Sequence, residues 1–276
     1  EKAAWNTFIT CDSYNNFDWW TVNGGVPAAG TNADGFAVKQ GSGRGNRFVG
    51  CRAWNNSDDA WDLYECGHAV EMANCWAWHT GHREDHIDMY ADRTGGNLTE
   101  EVWAGDGNGF KMGGGCLDIS GRECRAYSKG THLLRNCISF DNAKKGFDQN
   151  NHPMGAWIEN CLSFGNEINF QFWKENTEGT GWVFRNNISM NGARKDQFKG
   201  VTLLADDHNS WNLGIKGKPA DFVSLSAADA AAPRGADGSL PGRFGRLASG
   251  SAFIDRGAPT EAVRGDGFAR EPIPYN

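Results

Sequence analysis

The sequence predicts an all-β fold in which short parallel strands stack as the coils of a solenoid. A pattern of alternating apolar residues recurs around six positions: Cys11, Cys51, Cys75, Cys137, Cys161 and Asn187. Cys51 and Cys75 are 24 residues apart, as are Cys137 and Cys161, and Asn187 follows Cys161 by 26. A period of this length without helical spacing is typical of one solenoid coil. Residues one period apart are then expected about 4.8 Å apart, in neighbouring strands.

An aromatic residue follows each repeat and defines the columns in which side chains are expected to stack. The aligned aromatics are Phe36, Trp61, Phe110, Phe147, Phe170 and Phe198. The residues directly after them form a second column: Ala37, Asp62, Lys111, Asp148, Gln171 and Lys199. Two positions before the aromatics, a third column contains Asp34, Asp59 and Asn108. Because a strand alternates its faces, Asp62 and Lys111 are expected to point from the same face of one sheet.

The extent of the repeat predicts one β-helical catalytic domain over residues 1–212, with residues 213–276 as a capping segment of the same domain. The later segment lacks the repeat and is rich in Ala, Gly and Pro, so we expect it to wrap irregularly over the coils. Glu1 begins only a few residues before a complete coil and no capping helix covers that coil, so we expect the natural chain to extend upstream. Three stretches exceed a regular coil: residues 18–33, 80–106 and 113–129. Insertions in a solenoid emerge as loops, often on the binding face, and we expect these three to wall a cleft.

Composition limits the class of partner. The chain has 276 residues, 39% of them hydrophobic, which is enough to bury a single core. A net charge of −7 argues against a nucleic-acid partner bound through a basic surface. No apolar run is long enough to span a membrane. We expect a monomer that has neither nucleic acid nor a membrane as its partner.

The cysteines are predicted to be structural. Five of the eight share one repeat position, which favours a buried column of small thiols over disulfides. Cys66, Cys116 and Cys124 lie off this column, and a Cys116–Cys124 disulfide stays open. Asparagines follow several of the repeat cysteines, where they suit left-handed turns and hydrogen bonds along the stack.

Four aspartates are the candidate ligands of a metal ion: Asp34, Asp58, Asp59 and Asp62. The columns bring them within about two coils of one another, where their carboxylates would repel without a cation. Carboxylate oxygens are the ligands that Ca²⁺ prefers, so we predict calcium there, with a solvated turn as the simpler alternative. Lys111 lies beside this group in a glycine-rich segment that allows close approach of a polymer. A bound cation can lower the pKa of a nearby lysine towards use as a general base.

A family resemblance rests on six segments: residues 34–39, 45–63, 107–114, 145–151, 221–225 and 236–241. They resemble polysaccharide lyases of family 9, the pectate lyase L type, and the resemblance covers nearly the whole chain. It implies a right-handed parallel β-helix, calcium at the four aspartates and Lys111 as the Brønsted base. The implied substrate is an acidic, pectate-like polysaccharide, cleaved when Lys111 removes the C5 proton of a uronate and β-elimination breaks the C4–O bond. A secreted or periplasmic location follows from that substrate.

Basic residues on the later coils are candidates for binding flanking carboxylates of the polysaccharide: Lys144, Lys145, Lys174, Arg194 and Lys195. For each of them, an ordinary solvated surface charge is the alternative.

Two other functions stay open. An inverting glycoside hydrolase on the same fold would use two carboxylates about 6.5–9.5 Å apart and would give Lys111 no role. A non-catalytic carbohydrate-binding module would keep the aromatics and would need no base. Zinc is a further alternative in the second insert, at His79, His82, Asp85, His86 and Asp88, although their spacing matches no zinc motif and a polar loop is the simpler account.

Overall fold

Three parallel sheets run along the computed structural model, which describes residues 3–114 and 130–260. Each sheet takes one short strand from successive coils, because the apolar alternation recurs once per coil. Within the three sheets, neighbouring strands pair in parallel. The described chain is therefore a parallel β-helix, as the sequence predicts.

Sheet 1 has seven strands: β1 (Thr7–Ile9), β6 (Asn46–Val49), β9 (Val70–Ala73), β12 (His132–Arg135), β15 (Ala156–Glu159), β18 (Trp182–Arg185) and β21 (Leu203–Asp207). Sheet 2 has six: β2 (Asp12–Tyr14), β7 (Arg52–Trp54), β10 (Trp76–Trp78), β13 (Ile138–Phe140), β16 (Leu162–Phe164) and β19 (Ile188–Met190). Sheet 3 has six: β5 (Phe36–Ala37), β8 (Trp61–Asp62), β11 (Phe110–Lys111), β14 (Lys145–Asp148), β17 (Ile168–Phe172) and β20 (Gln197–Phe198). An antiparallel hairpin is formed by β3 (Val22–Asn23) and β4 (Val26–Pro27).

Short helices lie in the connections and in the C-terminal segment. A 3-10 helix (Arg83–His86) continues into α1 (Ile87–Thr94) within the second insert. After β21 come α2 (Ser210–Leu213), a 3-10 helix (Pro219–Asp221) and α3 (Ala227–Ala230). No helix among residues 3–114 and 130–260 is long and apolar enough to cross a membrane.

The two predicted interior columns form the core. One aromatic from each of five coils stacks on the next with ring centroids 4.9–5.0 Å apart, in the order Phe36, Trp61, Phe110, Phe147, Phe170. All of these rings except Phe36 are fully buried, and full burial of one such ring stabilises the fold by about 1.5–3 kcal/mol. The repeat cysteines carry free thiols, and all but the first are buried: Cys11, Cys51, Cys75, Cys137 and Cys161. Cys116 and Cys124 lie outside the described residues.

The predicted Lys111 column holds for five of its six members. The strand register aligns, in order, Ala37, Asp62, Lys111, Asp148 and Gln171. In the next coil Gln171 pairs with Gln197, because Phe198 stands opposite Phe172 rather than Phe170. The prediction that Lys199 continues this column is therefore wrong. Phe170 and Phe172 are both fully buried, so the apolar pattern alone could not decide which of them faces the next aromatic.

Asparagines occupy the turns that lead from sheet 2 towards sheet 3. Asn15, Asn55 and Asn191 adopt left-handed backbone with φ of 58°, 50° and 53°, which asparagine tolerates better than most residues. Deeper in the turn, Asn142 Nδ2 donates to Asn166 Oδ1 of the next coil at 2.9 Å. These amides tie neighbouring coils together, because each side chain both donates and accepts.

The first two inserts pack against each other near the start of sheet 3. The Ala29 N–H donates to the Val102 carbonyl at 2.9 Å, and the Ala104 N–H donates to the Ala29 carbonyl at 2.9 Å. Phe17, Ala29 and Leu98 form a small apolar cluster between them. Residues 115–129 of the third predicted insert lie outside the described residues.

The C-terminal segment lies along sheet 2. Phe244 packs edge-on against Trp76 with ring centroids 5.0 Å apart, and Phe222 joins the same apolar cluster. Arg52 of β7 is buried beneath this segment and donates to the carbonyls of Ala230 at 2.8 Å and Ala232 at 2.9 Å. The segment is thus held by apolar contacts and by a buried guanidinium.

Candidate active site

The four predicted aspartates converge at the start of sheet 3. Asp62 lies in β8, Asp58 and Asp59 lie in the turn just before that strand, and Asp34 precedes β5 of the coil before. Each contributes a carboxylate oxygen that lies within 4.8 Å of the corresponding oxygens of the other three. Asp58, Asp59 and Asp62 are at most 3% exposed. The structure therefore brings together the complete set of predicted metal ligands.

The burial and mutual repulsion of these carboxylates favour a bound cation. Burial, together with repulsion from neighbouring carboxylates, raises the pKa of Asp34 to about 6, of Asp58 to about 9 and of Asp59 to about 7. An all-oxygen set of this kind fits Ca²⁺, which accepts about six to eight oxygen ligands with tolerant geometry. The four side chains are thus suited to hold calcium, because buried carboxylates need compensating positive charge.

Lys111 of β11 meets the same carboxylates. Its Nζ lies 2.8 Å from Asp59 Oδ2 and 3.5 Å from Asp62 Oδ2. A third contact, at 3.2 Å, joins it to Oδ2 of Asp106 in the second insert. Burial alone would lower the pKa of Lys111, but the carboxylates of Asp59 and Asp62 outweigh that effect and hold this pKa well above its usual range. The predicted base and the predicted ligands therefore form one connected group.

A second lysine, Lys39, also reaches the cluster, and sequence reasoning missed it. Its Nζ lies 2.7 Å from Asp34 Oδ2 and 2.6 Å from Asp62 Oδ2. Burial would lower the pKa of Lys39, but these two carboxylates raise it above its usual range. Strand alternation offered a signal for this contact, because Lys39 lies two residues beyond Ala37 and so shares the outward face of the Asp62 column.

Hydrogen bonds from the connection that leads into β11 fix two of the aspartates. The Asp106 N–H donates to Asp58 Oδ1 at 2.9 Å. Asn108 donates twice to Asp59 Oδ1, from its backbone N–H at 2.9 Å and from Nδ2 at 2.7 Å. The column of Asp34, Asp59 and Asn108 predicts the second contact, whereas the position of Asp106 depends on the path of the insert.

The five basic residues proposed to bind substrate occupy the later coils. Lys144 and Arg194 share the Glu167 carboxylate, at 3.9 Å and 2.9 Å. Lys145 Nζ lies 3.4 Å from Oδ2 of Asp148, one coil beyond Lys111. Lys174 is partly buried just after β17, and Lys195 is exposed.

The histidines of the second insert divide into two environments. His79 is held at both ring nitrogens, with Nδ1 2.7 Å from Asp141 Oδ2 and Nε2 2.8 Å from Asp85 Oδ2. Its ring lies nearly parallel to that of His82, at a centroid distance of 4.4 Å. Parallel rings do not direct their in-plane lone pairs towards one point, and tetrahedral zinc needs such convergence. His86 lies apart, buried against Phe17. His79, His82 and Asp141 do place possible ligand atoms within 4.8 Å of one another, but the stacked rings and the separate position of His86 disfavour zinc at the five residues predicted.

Comparisons with known proteins agree with the fold. Residues 1–193 match the family model described as “Pel9A-like, right handed beta helix region”, which confirms the predicted handedness. Pectate lyase L of Dickeya dadantii (strain 3937) is 36% identical over 270 residues, covering 97% of this chain and 55% of the relative. The crystal structure of pectate lyase Pel9A superposes with a TM-score of 0.76 at 34% identity, covering 95% of this chain and 57% of the other. A rhamnogalacturonan lyase superposes with a TM-score of 0.65 at 29% identity, covering 89% and 58%. The chain thus spans about half the length of the curated relatives it matches.

Proposed function

Because the chain belongs to the Pel9A-like right-handed β-helix family, we propose that it is a calcium-dependent polysaccharide lyase acting on a pectate-like uronate polymer. The observation that carries this proposal is the contact between Lys111 and the aspartate cluster, 2.8 Å at Asp59. A lysine amine beside a calcium-binding group is the arrangement that proton abstraction next to a carboxylate needs. Relatives named pectate lyase L support the substrate class. On this proposal the protein acts outside the cytoplasm, as a monomer.

Asp34, Asp58, Asp59 and Asp62 would hold the ion. Calcium would supply a Lewis acid for the uronate carboxylate and so make the adjacent C5–H more acidic. Asn108 keeps Asp59 oriented towards the cluster by two hydrogen bonds to Oδ1, which leaves Oδ2 towards Lys111. The protein thus fixes its ligands before substrate arrives, which lowers the reorganisation needed during the reaction.

Lys111 would take the proton from C5. The C5–H electron pair then forms the C4–C5 double bond, the C4–O bond breaks, and the leaving oxygen gains a proton from solvent. Lys111 can accept a proton only as the neutral amine, whereas the surrounding carboxylates favour its ammonium form. Neutralisation of those carboxylates is therefore a condition for its role as a base.

The aspartate geometry also weighs against the inverting hydrolase. Two carboxylates in such an enzyme stand about 6.5–9.5 Å apart to leave room for water. The carboxylate oxygens of this cluster lie within 4.8 Å of one another. That spacing supports a shared cation rather than a pair of separate acid and base groups.

The decisive test is product formation by Lys111 variants. Wild-type protein incubated with polygalacturonate and calcium should give products that absorb in the ultraviolet through the new double bond, and a chelator should abolish them. Lys111→Ala should lose orders of magnitude in rate, and Lys111→Arg should also be poor because a guanidinium stays protonated. Lys216→Ala, which changes an exposed lysine in the C-terminal segment, should match wild type.

Rhamnogalacturonan serves as the comparison substrate, since one structural relative is a rhamnogalacturonan lyase. Retention of most activity by Lys111→Ala would refute the assigned base. Cleavage products without ultraviolet absorbance would indicate hydrolysis instead.

A further inference from the structure

Trp173 presents an indole to solvent on the outward face of sheet 3. It follows β17 directly and is 46% exposed. The other exposed aromatic side chains among residues 3–114 and 130–260 belong to the first coil and its insert: Trp5, Phe8, Tyr14 and Trp20. A single exposed apolar residue needs no explanation by itself. The support beneath Trp173, however, distinguishes it from a chance surface residue.

A buried glutamine anchors the backbone on both sides of this indole. Gln149 is 0% exposed, and its Oε1 accepts hydrogen bonds from the N–H groups of Trp173 and Lys174, both at 2.8 Å. Its Nε2 donates to the Lys174 carbonyl at 2.8 Å and to the His152 carbonyl at 3.1 Å. Three of these four hydrogen bonds fix the main chain of Trp173 and Lys174, and the fourth ties the glutamine side chain to its own turn. The main chain at Trp173 is thereby fixed before any ligand arrives, which reduces the entropy lost on binding.

The position of Trp173 relative to Lys111 follows from the strand register. Lys111 is aligned with Asp148 and then with Gln171, so two coil spacings of about 4.8 Å separate Lys111 from Gln171. Phe172 faces the core, so Gln171 and Trp173 share the outward face. Trp173 stands two residues further along the strand direction, about 7 Å to the side. The indole therefore lies on the same face as the proposed base, a few sugar units away along the helix axis.

A lysine stands beside the indole in the next coil. The Lys199 N–H donates to the Phe172 carbonyl at 2.9 Å, which aligns Lys199 with Trp173. Lys199 is exposed, and no carboxylate within 4.0 Å pairs with its ammonium in the part of the chain that the structure describes. An apolar ring and an uncompensated positive charge thus lie about one coil spacing apart.

We propose that Trp173 and Lys199 form a remote subsite that binds a uronate residue of the polysaccharide, an inference that rests on the proposed function. The indole face stacks on the C–H face of the sugar ring, and the Lys199 ammonium pairs with that sugar's carboxylate. Gln149 acts as a positioning residue, because it touches the main chain of Trp173 and not the sugar. Binding energy gained here holds the chain in register over Lys111.

The test uses galacturonate oligomers of increasing length. Trp173→Ala should lower kcat/KM about tenfold for oligomers long enough to reach the subsite and leave the shortest cleaved oligomer unchanged. Lys199→Gln should show the same length dependence with a smaller loss, and that loss should vanish at high salt because exposed charge pairs are screened. Tyr14→Ala removes an aromatic of similar exposure from sheet 2 and should match wild type at every length.

Equal losses at all lengths, or no loss in Trp173→Ala, would overturn the subsite. If wild type gives no unsaturated product from any uronate polymer, the proposed function fails. Calorimetric binding of long oligogalacturonate to wild type and Trp173→Ala then still decides the subsite. About tenfold weaker binding by the variant supports it, and equal binding refutes it.

Discussion

Replacing Lys39 by methionine should tighten calcium binding about tenfold. The Lys39 ammonium contacts Asp34 Oδ2 at 2.7 Å and Asp62 Oδ2 at 2.6 Å, and both aspartates belong to the cluster proposed to bind calcium. A bound ion and the ammonium would therefore compete for the same oxygens. Methionine keeps an unbranched apolar side chain of similar reach but carries no charge.

The size of the effect follows from the charges involved. Two unit charges 4 Å apart interact by about 4 kcal/mol at an effective dielectric constant of about 20, and the value doubles for a divalent ion. That repulsion is an upper bound, because the Lys39 side chain is 25% exposed and its ammonium can swing into solvent. The swing breaks two ion pairs, each worth up to about 1 kcal/mol when partly exposed. About 1.4 kcal/mol is a factor of ten in affinity, which sets the expected change.

Calorimetric titration of calcium into metal-stripped protein measures this directly. The control is Lys144→Met, whose ammonium lies 3.9 Å from Glu167 and outside the aspartate cluster, and it should leave the calcium Kd unchanged. Without calcium, Lys39→Met should melt below wild type, because a compensating charge is lost, and added calcium should raise its Tm more than that of wild type. An unchanged or higher calcium Kd in Lys39→Met would refute competition between the ammonium and calcium. It would indicate instead that Lys39 helps to hold the aspartates in the geometry that binds the ion.

Three further predictions concern stability. Burial lowers the pKa of His132 to about 4, against 6.5 in the unfolded chain. The neutral imidazole therefore contributes no pH dependence above about pH 6.5, and the free energy of unfolding should fall by about 3 kcal/mol as the pH is lowered from there to pH 4. Urea titrations across this pH range should show a flatter pH dependence for His132→Asn than for wild type. Arg52→Met removes the guanidinium buried beneath the C-terminal segment, so limited proteolysis should cut residues 213–260 faster than in an Arg243→Met control. Phe147→Ala opens the aromatic stack between Phe110 and Phe170 and should lower the free energy of unfolding by about 3–5 kcal/mol, whereas a loss below about 1 kcal/mol would mean that the stack is loosely packed.

The sequence was sufficient to predict contacts that depend only on period and alternation. Asp62 and Lys111 are 49 residues apart, yet the repeat aligns them because each coil returns the chain to the same sheet. The alignment of Asp59 with Asn108 has the same origin and yields a hydrogen bond of 2.7 Å. Such contacts are local in a solenoid, since each coil touches only its neighbours.

The sequence repeat did not predict contacts at positions where the chain departs from that regularity. Lys199 was misassigned because Phe170 and Phe172 both satisfy the inward pattern, and the coil between Gln171 and Gln197 is longer than the one before it. Asp106 reaches Lys111 from the end of an insert whose path has no period. An alternating sequence pattern predicts which side chains of a strand face inward, whereas the path by which a long loop returns to the sheet depends on the packing of that loop.

The charge balance of the site is the property that sequence reasoning left incomplete. Four aspartates and Lys111 were predicted, and the structure adds Asp106 and Lys39, which gives five carboxylates and two ammonium groups in contact. If all ionise, the formal charge is −3 (−5 and +2), and one calcium ion reduces it to −1. The pKa of Lys111 depends on this sum, because each uncompensated carboxylate favours its ammonium form. On the proposed function, the ion therefore does more than polarise substrate: by neutralising the aspartates it also makes the amine of Lys111 available. Lys39 contributes to the same charge balance. When its ammonium leaves the cluster, the site becomes more negative, and a bound calcium ion is then needed more strongly to neutralise the aspartates.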